Sequence, residues 1–334
     1  MYEAFFGLNE RPFDLTSNPK YLFLTPSHRE ALSSLEYGIS ARTGVTVLIG
    51  EAGTGKTTLI RATLDARKAA NTRAIYLNNP TLTRGEFLEF LAREFRLPWA
   101  AGASKTALLQ DLERTLLELH AQGITPALII DEAQSLPYEL LEEIRLLANV
   151  ETPTEKLLPI VLAGQPELAE RLNHESLRQL KQRVGLRCHL RQLELGETGA
   201  YITARVGVAG GTASRMFTRE AVTLIHERSQ GIPRTISVIC HNALIGAFAL
   251  SAKPVTADIV REVCQDFDLR GDGTLLTPLN LPEAPADGGS LLRKAQLQSV
   301  AHVDHGPLIS RTAKKEPKEL FASIGRVRRR YLIF

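Results

Sequence analysis

A glycine-rich stretch near residue 50 has the residue types and spacing of a phosphate-binding loop. Residues 50–57 read GEAGTGKT and match G-x-x-x-x-G-K-[ST], with an apolar run before them and a helical pattern after them. Glycines let backbone N–H groups turn towards phosphate oxygens, and the N-terminus of the next helix adds positive potential. Lys56 would supply a point charge to the β- and γ-phosphates, and the Thr57 hydroxyl would bind Mg²⁺. The residues predicted to contact the nucleotide are Gly50, Glu51, Ala52, Gly53, Thr54, Gly55, Lys56, Thr57 and Thr58.

Two acidic residues follow a second apolar run, at 127–130. A carboxylate at the C-terminal end of a parallel strand faces the ligand crevice of an open α/β sheet. Asp131 is therefore predicted to hold the Mg²⁺ shell, and Glu132 to orient or deprotonate the attacking water. The alternative is that the pair only caps the next helix. Its position, about 75 residues after Lys56, favours the nucleotide site.

Two further polar residues are candidates, each with a competing interpretation. Gln165 follows the apolar run 160–163, where it would hydrogen-bond the γ-phosphate or the water; the alternative is a turn glutamine ahead of a helix at Pro166. Arg234 lies near the start of an apolar helix, where the helix dipole disfavours a cation. An anionic ligand would relieve this, whereas the alternative is a solvated arginine.

The elements that must position these residues alternate between strands and helices. Such alternation predicts an α/β fold with a parallel sheet covered by helices on both faces. After residue 196 the strand signal stops, and the helical patterns predict a separate helical unit. The predicted strands are 45–49, 74–77, 127–130, 160–163 and 186–190; the predicted helices are 56–69, 84–95, 105–121, 138–148, 197–208, 219–229, 233–250 and 257–266.

Bulk properties exclude several classes of protein. The net charge of +3 does not by itself imply nucleic-acid binding. Three widely spaced cysteines argue against a disulfide framework or a zinc site and fit a reducing cytosol. The N-terminus lacks the pattern of a signal peptide, and the apolar segment 236–250 is too short and polar for a membrane span. We therefore expect a cytoplasmic protein without a transmembrane segment.

In this order the motifs resemble those of AAA+ ATPases, and most of all the general secretion pathway protein A family. TniB-type transposition regulators are more distant relatives. The resemblance covers about residues 1–268 and rests, beyond the phosphate loop, on YEAFFGLNERPF at the start, DEAQ at 131–134, GQPEL at 164–168, LKQRV at 180–184 and GIPR at 231–234. It implies a five-stranded P-loop sheet followed by a small helical lid. The expected divisions are 1–44 (N-terminal linker and helix), 45–195 (ATPase domain), 196–269 (lid) and 270–334 (linker and basic tail).

The resemblance also implies roles for individual residues. Lys56 and Thr57 fall in Walker A and Asp131 and Glu132 in Walker B, while Gln165 takes the sensor 1 place. Arg234 falls at sensor 2, and Pro12 and Phe13 match the segment that packs near adenine. Ordinary core packing is the alternative for Phe13. Arg183 matches the position of an arginine finger that acts on the neighbouring subunit's nucleotide, with Arg178 as the alternative.

The family resemblance implies ATP and Mg²⁺ as cofactors and a homo-oligomer, ring or filament, that drives or regulates a secretion, pilus or polysaccharide-export system. The alternatives are a DNA-binding transposition ATPase and a nucleotide switch that barely hydrolyses ATP; the latter is disfavoured by Glu132, Lys56 and Arg183. Such a protein would be cytoplasmic or held at the inner membrane through partners.

Residues 314–330 carry seven cations and two acids. A solvated tail is the favoured interpretation of that run; nucleic acid, acidic protein or anionic lipid is the alternative partner, and the apolar end 331–334 is predicted to dock.

Overall fold

The computed structural model describes residues 1–16, 18–67, 71–78, 81–98 and 104–269. Contacts group residues 1–285 into one compact unit, and all described residues lie within it. The predicted linker and tail, including 314–330 and 331–334, lie outside the described residues. The predicted divisions after residues 44 and 195 remain predictions.

A five-stranded sheet forms the centre of the α/β part. All of its paired strands run parallel, in the order β2-β3-β4-β1-β5, which confirms the predicted fold class. Every residue of β1 and β3 is buried because helices cover both faces of the sheet. The strands are β1 (Val45–Gly50), β2 (Thr72–Leu77), β3 (Thr125–Ile130), β4 (Ile160–Gly164) and β5 (Val184–Leu190).

Helices pack against this sheet in two layers. One apolar core lies between the sheet and α4 to α8, and a second lies between the other face and the helices α2 and α3. A capping box formed by Thr83 and Glu86 fixes the start of α4. The helices are α1 (Tyr2–Phe6), α2 (Pro26–Ser40), α3 (Lys56–Arg67), α4 (Arg84–Phe95), α5 (Lys105–Ala121), α6 (Tyr138–Leu147), α7 (Pro166–Asn173) and α8 (Arg178–Lys181).

The helices that follow β5 have an apolar core of their own, and this helical part is called the lid below. The apolar helix α12 is its centre, and Pro233 begins that helix at a position where proline is favoured. The N-terminal residues Tyr2, Leu8 and Phe13 are buried in the lid core and not against the sheet. The lid helices are α9 (Leu195–Val208), α10 (Ala213–Met216), α11 (Arg219–Ser229), α12 (Pro233–Ala249) and α13 (Ala257–Asp266).

Four predicted helices, 84–95, 105–121, 219–229 and 257–266, coincide with observed helices, whereas the short helix α10 was not predicted. In the described part of the chain, no helix combines the length and the apolar character needed to cross a membrane.

Candidate nucleotide site

The predicted phosphate loop connects β1 to α3, as its motif requires. Gly53 and Gly55 have φ values of +82° and +101°, a region that residues with a side chain rarely adopt. The Lys56 ammonium is buried inside the loop, where its Nζ donates to the carbonyl oxygens of Gly50 at 2.8 Å and Glu51 at 3.1 Å. The loop is thus a compact turn with a cation at its centre.

Burial of Lys56 has an electrostatic consequence. Desolvation lowers the pKa of its ammonium group, while the carboxylates of Glu132 and Asp131 oppose this shift. An anion at the loop would favour the charged form further. The position therefore suits a polyphosphate better than a neutral ligand.

Asp131, the residue after β3, collects hydrogen bonds from three directions. Its Oδ2 accepts from the Thr57 hydroxyl at 2.6 Å and from the Tyr76 hydroxyl at 3.0 Å, and its Oδ1 accepts from the backbone N–H of Glu132 at 3.0 Å. Burial and the nearby Asp131 raise the pKa of Tyr76, so its hydroxyl remains a donor. The hydroxyl and the carboxylate predicted for Mg²⁺ are therefore already in contact.

Glu132 lies at a strained turn and is held by two amides. Its φ is +53°, which is uncommon for a residue with a side chain. Its Oε2 accepts from Gln134 Nε2 at 2.7 Å and from Gln165 Nε2 at 3.4 Å. Gln134 Oε1 also accepts the backbone N–H of Gln165 at 3.1 Å, and Arg171 donates to the Gln134 carbonyl oxygen. Two glutamines thus fix the carboxylate that was predicted to orient water.

The lid contacts the phosphate loop directly at the start of α12. The backbone N–H of Arg234 donates to the Gly53 carbonyl oxygen at 3.2 Å. A Cβ atom on Gly53 would lie 2.8 Å from the Cβ of Arg234, so only glycine permits this approach. Gly231, in the loop between α11 and α12, is equally constrained, because a Cβ there would lie 2.0 Å from the Leu193 carbonyl oxygen. Arg234 therefore projects beside the phosphate loop.

A cavity of about 280 Å³ joins these groups to the lid and the N-terminal segment. The latter contributes Asp14, Leu15 and Thr16, the residues after the predicted pair Pro12 and Phe13. Phe13 is fully buried in the lid core, with its ring edge-on to Phe217. This is the core packing that the sequence left open as the alternative to a place near adenine. The other lining residues are Gly53, Gly55, Lys56, Thr57, Thr58, Glu132, Tyr201, Arg205, Pro233, Arg234 and Ser237.

His28 of α2 supports the phosphate loop from beneath. Its Nε2 lies 3.1 Å from the Thr54 carbonyl oxygen, and its Nδ1 lies 2.7 Å from the Thr25 hydroxyl. The arrangement fits the neutral Nε2–H tautomer, which donates to the carbonyl and accepts from the hydroxyl. Burial lowers the pKa of His28, which is consistent with a neutral ring.

Arg183 lies at the opposite end of β1 from the phosphate loop, and Arg178 precedes it in α8. The carbonyl oxygen of Arg183 accepts from the N–H of Val45, the first residue of β1, whereas the phosphate loop begins at its last residue, Gly50. At about 3.3 Å per residue, these ends are about 17 Å apart. Both arginines are exposed. Neither belongs to the cluster around Lys56 in its own chain.

Three residues of this neighbourhood were missed from the sequence: Tyr76, His28 and Arg205. Tyr76 stands within a short strand and His28 within an ordinary amphipathic helix, so neither carries a motif. Arg205 is a single cation in a lid helix. Gln134 had a signal, because it belongs to the DEAQ sequence at 131–134.

The residues at this edge of the sheet fit a magnesium nucleotide. The donor set pairs a hydroxyl with a carboxylate, and Mg²⁺ prefers such oxygen ligands while using substrate phosphates for the rest. Among the described residues, no group of three or more His, Cys, Asp or Glu offers a metal site made by protein alone. The glycine-lined loop supplies room for phosphate oxygens.

Fold and site together define a P-loop nucleotide-binding protein of the AAA+ class, as predicted. The family model for an AAA domain matches residues 40–172. The chain is also a relative of general secretion pathway protein A of Aeromonas hydrophila, with 42% identity over 275 residues. The match covers 82% of this chain and 50% of that protein, so the chain spans about half the length of this relative.

Solved structures give an independent comparison of the fold. The Aeropyrum pernix ORC2 protein superposes with a TM-score of 0.55 at 19% identity, over 77% of this chain and 72% of the other. Cdc6p from Pyrobaculum aerophilum gives a TM-score of 0.56 at 17% identity, over 75% and 70%. At these identities the comparison concerns the fold alone.

Proposed function

We propose that the chain binds Mg-ATP and hydrolyses it to ADP and phosphate. The observation that carries this proposal is the convergence of Lys56, Thr57, Asp131, Glu132 and Gln165 at one edge of the sheet. They follow three neighbouring strands, β1, β3 and β4. Each is of the residue type that phosphoryl transfer requires at its position.

The contacts support the following roles. Lys56 would neutralise the β- and γ-phosphates, while Thr57 and Asp131 would hold Mg²⁺. When bound, the metal neutralises charge on the phosphate oxygens. Glu132, fixed by amide donors, orients water and accepts its proton. Arg234, beside Gly53, would contact the γ-phosphate from the lid.

We further propose that hydrolysis occurs between subunits of a homo-oligomer, with Arg183 as the finger acting in trans. Its position about 17 Å along β1 from the phosphate loop is too far for its side chain to reach the nucleotide of its own chain. Its exposure leaves it accessible to a second copy. Arg178, five residues earlier at the start of α8, is the alternative finger.

The chemical proposal is tested with Glu132→Gln. This side chain has the same size and can still accept from Gln134 and Gln165, but it cannot act as a base. We expect ATP hydrolysis to fall by about 10²–10⁴-fold, as for loss of a general base, while ATP binding persists. Lys56→Ala should lose binding itself. Equal hydrolysis by Glu132→Gln and wild-type protein would refute the assigned role of Glu132.

Subunit mixing tests the trans arrangement. Arg183→Ala should lower the rate by about 10³–10⁵-fold, the usual effect of an arginine finger. Mixed with Lys56→Ala protein, it should recover part of the activity, because one copy supplies the finger and the other the nucleotide. Arg187→Ala is a matched control, since Arg187 is an exposed arginine of the same strand region. No recovery together with full activity of monomers would exclude the trans finger.

Similarity to general secretion pathway protein A supports a role in a secretion system. We propose that the ATPase drives or regulates assembly of such a system at the cytoplasmic side of the inner membrane through protein partners. Hydrolysis assays with and without duplex DNA test this assignment. Strong stimulation that weakens with salt, as counterion release predicts, would favour a DNA-dependent function instead.

A further inference from the structure

Arg205 of α9 is a buried cation whose hydrogen bonds go to uncharged acceptors. The residue is only 9% exposed. Nε donates to the Pro12 carbonyl oxygen at 2.6 Å, one terminal nitrogen donates to the Tyr201 hydroxyl at 2.9 Å, and the other donates to the Asp14 carbonyl oxygen at 3.2 Å. The guanidinium also faces the Tyr21 ring, 4.7 Å from its centroid. Among the described residues, its hydrogen-bond acceptors carry no charge, so the buried guanidinium remains short of compensation.

The position of Arg205 relative to the phosphate loop follows from a chain of contacts. Arg234 binds the loop at Gly53, and Ser237 lies one helical turn further along α12. The Ser237 hydroxyl is 2.8 Å from that of Tyr201, which accepts from Arg205. Arg205 therefore lies at the end of the cavity remote from the loop, beside the N-terminal segment.

A guanidinium has five N–H donors, and the hydrogen bonds to described residues engage three of them. Two N–H groups are left for another acceptor, and Arg205 lines the cavity. If phosphates occupy the loop, the nucleoside extends towards this end. Its ring nitrogens and ribose oxygens are acceptors of the kind that these donors need.

We propose that Arg205 is a nucleoside-binding residue, which donates to the nucleoside part of the nucleotide while it holds the N-terminal segment against the lid. This inference rests on the proposed function, because it takes the phosphates to bind at Gly50–Thr57. It assigns different tasks to the two arginines of the cavity. Arg234 acts beside the phosphates, whereas Arg205 acts on a part that ATP and ADP share.

The test compares equilibrium affinities for Mg-ATP, Mg-ADP and inorganic tripolyphosphate, measured by calorimetry. Arg205→Met should weaken ATP and ADP binding by a similar factor of about tenfold or more, as expected for lost hydrogen bonds from a charged group. Tripolyphosphate, which has no nucleoside, should bind as it does to wild-type protein. Arg228→Met is the matched control, because Arg228 also donates to a backbone carbonyl in the lid, that of Leu269, but does not line the cavity.

Thermal unfolding without nucleotide checks that each variant is folded. Should Arg205→Met unfold, Arg205→Lys keeps the charge but replaces the planar fork by one ammonium, and it should show the same loss for ATP and ADP and none for tripolyphosphate. Unchanged ATP affinity, or an equal loss for tripolyphosphate or in Arg228→Met, would overturn the inference. If Lys56→Ala loses ATP binding but Arg205→Met keeps it, the role of Arg205 is refuted and the proposed function stands. If wild-type protein binds no ATP, the proposed function itself is refuted.

Discussion

Replacing Gly231 by alanine should lower the free energy of unfolding by about 2–5 kcal/mol. Gly231 has a φ of +69°, and a Cβ atom there would lie 2.0 Å from the carbonyl oxygen of Leu193, with the backbone nitrogen and carbon of Leu193 at 2.9 and 3.0 Å. The left-handed backbone costs a residue with a side chain about 1–2 kcal/mol. The clash with backbone that cannot rotate away adds about 1–3 kcal/mol, as in an overpacked core.

Gly123 provides a matched control for this experiment. Its φ of +70° is nearly the same, but no atom lies within 4 Å of its added Cβ. Gly123→Ala should therefore lose only the backbone contribution of about 1–2 kcal/mol. The difference in unfolding free energy between the two variants measures the cost of the close approach between Gly231 and the backbone of Leu193.

Both variants are measured by urea unfolding followed by circular dichroism, and then by ATP affinity. Gly231→Ala should also weaken ATP binding. Arg234 lies three residues after Gly231, and its backbone N–H donates to the Gly53 carbonyl oxygen of the phosphate loop. Gly123→Ala should leave ATP affinity unchanged. If the two variants lose the same stability and bind ATP equally well, the close contact does not position the lid and the reasoning fails.

Two further predictions concern residues without a sequence motif. Tyr76→Phe removes one hydrogen bond to Asp131 and should raise the Mg²⁺ concentration needed for ATP binding by about tenfold, as for outer-shell partners; an unchanged requirement in a Mg²⁺ titration would contradict this. His28 has a pKa lowered from 6.5 by burial, so the unfolded state binds more protons than the folded state once the pH falls below about 6.5. The free energy of unfolding should therefore decrease as the pH falls from about 6.5, and this slope should be smaller in His28→Asn; equal slopes in urea unfolding at graded pH would refute the assignment.

The local motifs were predictable because the chain itself brings their residues together. Residues 50–57 are one continuous segment that joins β1 to α3, and Asp131 and Glu132 follow a strand whose apolar character is visible in the sequence. Parallel strands then bring their carboxyl ends to one edge. Strand β5 was predicted two residues short, because on this edge strand buried residues alternate with exposed ones and its first three residues are not buried.

Tertiary contacts could not be derived in this way. Tyr76 reaches Asp131 only because β2 pairs with β3 in a register that no local pattern specifies. His28 reaches the loop across the packing of α2 on α3. The prediction that Phe13 packs near adenine depended on which apolar core contains its ring. The ring is buried in the lid core. The residues after it line the cavity instead.

The shared core of the lid and the N-terminal segment has a mechanical consequence. Tyr2, Leu8 and Phe13 are buried with α9 and α12, and Arg205 adds hydrogen bonds from α9 to the carbonyls of Pro12 and Asp14. Through these contacts, the wall formed by residues 14–16 is attached to the lid. A ligand that draws Arg234 towards the phosphates would move that wall with the lid, because close-packed interiors transmit displacement instead of absorbing it.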